Sequence, residues 1–210
     1  MSDQPTRGEN TRLEIVQAAH QLFIGQGYHG TSMRQIARTA GIALGSIYNH
    51  FSSKEDVFVA VLQAHHPYHE ILHAAQDARG DTIETFVGGV ATQLVAALGR
   101  HPEFLNLMLI EIVEFNSQHV PLLFNEIFPQ LIPLVEKFTS NQGRLREIPV
   151  LIVMRAFVGL FFSFYITEAL IGRQIPVQMK ENGLEYFIDI FLHGIVDHGL
   201  AEMTAKEEST

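Results

Sequence analysis

Five consecutive residues carry the spacing of a hydrolytic metal site. His69-Glu70-Ile71-Leu72-His73 matches H-E-x-x-H, which on a helix turns two imidazoles to one face to bind zinc, with the glutamate as general base. His65 and His66 stand just upstream. Histidine titrates near neutral pH and ligates zinc or nickel, so His65, His66, His69 and His73 would also suit a metal or proton sensor. Against catalysis, the chain has eleven histidines, enough for the pattern to arise by chance. No third ligand stands out: Glu84 follows only after the Arg79-Gly80 break. The sequence is therefore read as a non-enzyme without a cofactor or metal, with the histidine sensor as the alternative and a zinc-dependent hydrolase after it.

A second group of residues carries chemistry of another kind. Gly45, Ser46, Tyr48, Asn49 and His50 fall on the outer face of a short helix predicted from Leu44 to His50. Small and hydrogen-bonding groups on such a face suit close approach to base edges in a DNA groove.

The elements that must hold this face are legible around it. Thr31 is expected to cap a helix, its hydroxyl accepting an orphan N–H of the following turn. Met33, Ile36, Ala37 and Ala40 then recur at helical spacing. Gly41 ends that helix, since a residue without Cβ can take positive φ and turn the chain sharply. Ile42, Ile47 and Phe51 supply apolar contacts beneath the second helix. Upstream, 11–26 is predicted as an amphipathic helix with Leu13, Val16, Ala19, Leu22 and Phe23 facing inward. Downstream, Ser52 and Glu55 are expected to form a capping box for a helix carrying Val57, Phe58, Val61 and Leu62. Pro67 should kink or restart that helix.

Residues 13–62, with the runs GYHGTS, IARTAGI, GSIYNHF and SSKEDVF, closely resemble the N-terminal domain of TetR-family transcriptional regulators, the AcrR-like branch in particular. The resemblance implies an all-α protein: a three-helix helix-turn-helix domain over 1–55, then a helical effector-binding and dimerisation domain over 56–205 and a flexible tail over 206–210. Position by position, it places Arg34 at a base edge, and Ser32 and Met33 at the backbone-facing start of their helix. Leu44, Gly45, Ser46 and Asn49 fall on groove-facing positions, and Tyr48, His50 and Lys54 on positions that grip phosphates. Ala43 stands where the family often has Ser or Thr, so the second helix is expected to lack its side-chain cap. The implied function is a homodimeric repressor on a pseudo-palindromic operator, released by a small, lipophilic effector.

Composition bounds the rest. The net charge of −9 sits almost wholly beyond residue 55: residues 1–55 hold five basic and four acidic side chains, net +1. Phosphate binding must then lean on helix N-termini and on doubling by dimerisation, with a shallow salt dependence. The absence of cysteine excludes disulfides and permits a reducing cytoplasm. The polar start MSDQPTRGEN gives no signal peptide, and Arg155 interrupts the most apolar stretch, 148–170, so no membrane span is expected.

Later helices are predicted at 81–98, 102–116, 121–139, 148–171 and 184–200. The last two are too apolar for a monomer's surface, which the resemblance explains as a four-helix dimer interface. Phe104, Met108, Phe115, Phe157, Phe161, Phe164 and Tyr165 are candidate walls of an effector pocket. Glu111 and Glu114 interrupt LMLIEIVEF, as pocket groups for a cationic lipophile, as a solvated stripe, or as partners of Arg155.

Overall fold

The computed structural model describes residues 6–77, 82–123, 125, 127, 129–130, 132–133, 146, 148–174, 176 and 181–195. All regular structure among the described residues is helical. We number the helices α1 (Arg7–Gln26), α2 (Met33–Thr39), α3 (Leu44–Ile47), α4 (Lys54–Ala64), α5 (Tyr68–Asp77), α6 (Ile83–Arg100), α7 (Pro102–Phe115), α8 (Val150–Ile171) and α9 (Gly183–Ile195). The Arg79-Gly80 break, residues 134–145, the last turn expected at 196–200 and the tail lie outside the described residues.

Where helices begin is decided by caps. α1 starts at Arg7 rather than Thr11, because the Thr6 hydroxyl accepts the Glu9 N–H while the Glu9 carboxylate accepts the Thr6 N–H. Its buried stripe is Ile15, Val16, Ala18, Ala19 and Phe23, and Leu13, expected inward, lies off that stripe and is 60% exposed. The box at α4 is Ser53 with Asp56, one residue beyond the expected Ser52 and Glu55. The Asp56 carboxylate accepts both the Ser52 and Ser53 N–H groups at 3.1 Å. Pro67 separates α4 from α5, so the helix restarts there.

Two compact units emerge, α1–α4 with α7, and α5, α6, α8 and α9. This differs from a boundary at 55/56. Val57, Phe58, Val61 and Leu62 of α4 are buried in one core with Ile15, Ala19 and Phe23 of α1, Ile36 and Ala37 of α2, Ile47 of α3 and Leu107 of α7. An element buried that fully cannot be divided from the helices it covers.

In the second unit α6 contacts α5, α8 and α9, and α8 contacts α9. α8 is, by length and composition, a described helix long and apolar enough to cross a membrane. A packed helix of a helical unit meets the same criterion, and α8 buries Val153, Phe161 and Tyr165. Leu170 of α8 and Tyr186 and Ile190 of α9 nevertheless remain 67%, 64% and 61% exposed.

Candidate nucleic-acid interface

The first unit carries the predicted DNA-facing residues on α2 and α3. Ser32, not Thr31, caps α2: its hydroxyl accepts the Gln35 N–H at 3.3 Å, and Gln35 Oε1 accepts the Ser32 N–H at 2.9 Å. Thr31 is buried one residue earlier, where its hydroxyl donates to the Gly27 carbonyl at 2.9 Å. Gln26 Nε2 donates to the Gly30 carbonyl at 2.8 Å, so side chains hold the turn between α1 and α2 from both ends.

Gly41 takes φ +70° between α2 and α3, the conformation that favours glycine there. The Ile42 N–H donates back to the Ala37 carbonyl at 3.0 Å, which closes the turn. α3 begins at Ala43 with no side-chain cap, as the residue type requires. Its regular part ends at Ile47, and turns carry the chain through His50 with the Phe51 N–H donating to the Ile47 carbonyl at 3.0 Å.

Ile47 is fully buried and Phe51 nearly so, and these two residues fix which way the helix faces. Leu44, Gly45, Tyr48 and Asn49 are exposed, with Ser46 and His50 half-buried beside them. Arg34 and Ser32 are exposed on α2, and Met33 is half-buried. A Cβ built on Gly45 would meet nothing within 4 Å. The fold therefore has no need of glycine at this position. The Arg12 guanidinium sits 4.3 Å over the Phe51 ring and stacks beside the end of this element.

Lys54 is placed differently from the phosphate-gripping position the sequence suggests. Its Nζ donates to the Tyr28 carbonyl at 2.7 Å and the Thr31 carbonyl at 2.8 Å, and lies 4.0 Å over the Tyr28 ring. Burial pushes this ammonium below the usual lysine range, with Glu114 pulling the other way. Lys54 thus ties the start of α4 to the turn that launches α2. Beneath it, Tyr28 meets Phe115 edge-on at 4.8 Å, and Phe115 stacks on Phe58 at 4.9 Å.

The remaining candidates scatter. Of the histidine run, His65 and His66 lie in the first unit and exposed His73 in the second; the His69 side chain lies outside the described residues. His65 stacks on His20, and His66 meets Phe104 edge-on at 4.6 Å. Glu70, the general base of the zinc reading, accepts from Arg100, with Nε at 2.6 Å, so its carboxylate is engaged in an ion pair.

The aromatic pocket set divides between the two units. Phe115 and buried Phe104 pack within the first unit, and half-buried Met108 packs against its core. Glu111 is fully buried, its two oxygens accepting the His119 N–H at 2.7 Å and facing His119 Nδ1 at 2.9 Å. Glu114 pairs with His29. Of the three readings offered for these glutamates none named the partners found, a histidine of the same unit for each. In the second unit Phe157, Phe161 and Phe191 pack on one another, and Tyr165 is buried. Phe164 alone of the expected set lines the cleft described there, about 490 Å³ in volume, bounded also by Thr167, Glu168, Ile171, Gln174, Pro176, Gly183 and Phe187.

Two polar clusters had no sequence signal. His119 joins Glu111 to Glu55, whose Oε1 lies 3.2 Å from His119 Nε2 and 2.6 Å from Gln118 Nε2. Elsewhere, His20, His65 and Glu103 bring their ligating atoms within 4.8 Å of one another. Burial, first of all, pushes both imidazoles below the usual histidine range; His20 adds to the shift at His65, and Glu103 opposes it at both.

Residues 15–61 match the family model described as bacterial regulatory proteins, tetR family. The transcriptional activator FasR of Mycolicibacterium smegmatis is 40% identical over 57 residues, 27% of this chain and 26% of that protein. The transcriptional regulator UidR of Escherichia coli is 36% identical over 62 residues, 30% of this chain and 32% of that protein. The aligned part thus spans only about a quarter to a third of these relatives' length. Among solved structures, NalD, the secondary repressor of the MexAB-OprM multidrug efflux pump in Pseudomonas aeruginosa, has a TM-score of 0.64 at 22% identity, covering 91% of this chain and 100% of that one. This last likeness is one of fold.

Proposed function

We propose that the chain, whose residues 15–61 match the tetR family model, is a cytoplasmic transcriptional regulator of that family that binds a pseudo-palindromic DNA operator as a homodimer. Arg34 of α2 and Leu44, Gly45, Ser46 and Asn49 around α3 face the bases, and Ser32, Met33, Tyr48 and His50 bear on the backbone. The observation that carries this reading is Gly45: it is exposed on a helix whose opposite side is anchored by fully buried Ile47, and its missing Cβ serves no internal contact. Gly25, Gly88, Gly99, Gly159 and Gly194 are equally open, so what marks Gly45 is its place on this exposed face beside Leu44 and Asn49, where the missing Cβ permits close approach.

Dimerisation is supported by the exposed apolar side chains of α8 and α9, among them Leu170, Tyr186 and Ile190. A second copy packed on these two helices would cover such side chains. The regulator acts as a repressor released by a small lipophilic effector, for which the cleft at Phe164 and Phe187 offers aromatic walls and one carboxylate, Glu168. Linkage makes the coupling reciprocal: DNA must weaken effector binding by the factor with which effector weakens DNA binding.

Gly45→Ala tests the reading without a folding confound. Alanine in a helix is favoured over glycine by about 0.5–1 kcal/mol, so the variant should melt no lower than wild type. Against a duplex enriched from random sequence its affinity should fall about fivefold or more, the cost of roughly 1–3 kcal/mol for forcing a methyl into a close contact. Unchanged affinity would remove this face from the interface.

A further inference from the structure

We propose that His20, His65 and Glu103 form a binding site for one divalent transition-metal ion of the zinc, cobalt or nickel kind, at the place where α1, the end of α4 and the first turn of α7 meet. The inference does not depend on DNA binding. It rests on how these three side chains are assembled.

His20 comes from the body of α1, His65 caps the C-terminus of α4, and Glu103 follows Pro102 in the first turn of α7. The rings of His20 and His65 stack with centroids 3.7 Å apart and planes 7° from parallel. Their ligating nitrogens and a Glu103 oxygen all lie within 4.8 Å of one another. His20 Nε2 is buried and has no hydrogen-bond partner among the described residues. An unsatisfied buried nitrogen destabilises the fold, and a metal ion would satisfy it. Neutral imidazole is the form that ligates, and burial favours that form at both rings.

The donor set points to the class of ion. Two imidazoles and one carboxylate suit borderline metals such as zinc, whereas calcium and magnesium prefer all-oxygen shells. One protein carboxylate with two histidines also leaves coordination positions for water. His101 Nδ1 lies 3.6 Å from Glu103 Oε1, where it can orient the carboxylate from the second layer.

The stack also says how the ion must enter. Parallel rings hold their lone pairs in separate parallel planes, while a single ion needs both nitrogens about 2.0–2.1 Å away and each lone pair aimed at it. Binding therefore requires the His20 and His65 rings to splay out of their stack.

The test uses the full chain without a polyhistidine tag, stripped by chelator and titrated with Zn²⁺ or Co²⁺ in a calorimeter, with imidazole proton resonances followed in parallel. One equivalent should bind, and the His20 and His65 ring signals should move together. Glu103→Gln, on a partly exposed position, should weaken binding about tenfold or more while keeping the melting temperature. His20→Phe, which keeps an aromatic ring in the stack, should abolish it. His69→Gln with His73→Gln should leave it intact. Absence of one-equivalent binding, binding that survives in both His20→Phe and Glu103→Gln, or loss in the His69/His73 variant would overturn the site.

Discussion

Replacing Lys54 by methionine separates two roles that one residue could play. Methionine keeps the apolar stem and deletes the ammonium that bridges the Tyr28 and Thr31 carbonyls at 2.7 and 2.8 Å. Hydrogen bonds to a charged group contribute about 1.5–3 kcal/mol each, and the cation over the Tyr28 ring adds about 0.5–1 kcal/mol. Two terms oppose this: the freed side chain regains up to about 2 kcal/mol of rotamer entropy, and the ammonium is already penalised by partial burial. Solvent access reduces the gain further. The net loss should be about 2 kcal/mol, which for a chain of this size lowers Tm by about 4–8 °C. DNA affinity should fall as well, because the turn that launches α2 loosens. The slope of log K against log salt should not change, since no phosphate partner is lost. A fluorescence-anisotropy titration at several salt concentrations, alongside thermal melting, reads both quantities. An unaltered Tm with a slope shallower by about one per lost contact would refute the reasoning and return Lys54 to the phosphate-gripping role.

Other perturbations have equally definite outcomes. Ser32→Ala removes the α2 capping box and should cost about 1 kcal/mol in urea unfolding, with Thr31→Ala acting instead through the buried turn. Glu111→Ala strips a fully buried acceptor from the His119 N–H and should destabilise by about 1–3 kcal/mol, whereas Glu111→Gln, which keeps an acceptor, should cost visibly less. Acidification should also destabilise the protein through His20 and His65. Their folded pKa values lie below the unfolded value of about 6.5, so between the two the unfolded chain binds more protons. Their contribution is complete above that unfolded value and is lost as pH falls toward the folded ones. The slope of unfolding free energy against pH, measured from about pH 7 to 5, should be steeper in wild type than in His20→Phe; equal slopes would contradict the shifts.

What was legible in the sequence was mostly local. Gly41, the apolar spacing of Ile36, Ala37 and Ile47, and the polar run after Leu44 act within a few residues of themselves, and α2 and α3 appear where they point. The cap of α2 was legible too, since Ser32 has Gln35 three residues on while Thr31 has Arg34, which cannot return a hydrogen bond to the cap N–H. At α4 the choice was not local. Ser52 with Glu55 and Ser53 with Asp56 satisfy the same pattern, and in the folded chain Glu55 faces His119. Lys54 and the His20–His65 stack were misread or unseen because their partners stand far away in sequence, in the turn before α2 and on α1, and Glu111 because its partner His119 lies in the turn beyond the end of α7. The H-E-x-x-H spacing illustrates the converse, a local pattern whose Glu70 is engaged elsewhere by Arg100.

The central claim is that the exposed side of α2 and α3 reads DNA sequence. Selection from a random-sequence duplex pool by purified wild-type protein, at one moderate salt concentration, with Arg34→Ala run in parallel, tests it most directly. Wild type should enrich a two-fold-related motif with half-sites about one helical turn apart, and Arg34→Ala should lose preference at one position within each half-site. Failure of folded wild-type protein to enrich any motif, or an identical motif from Arg34→Ala, would contradict it.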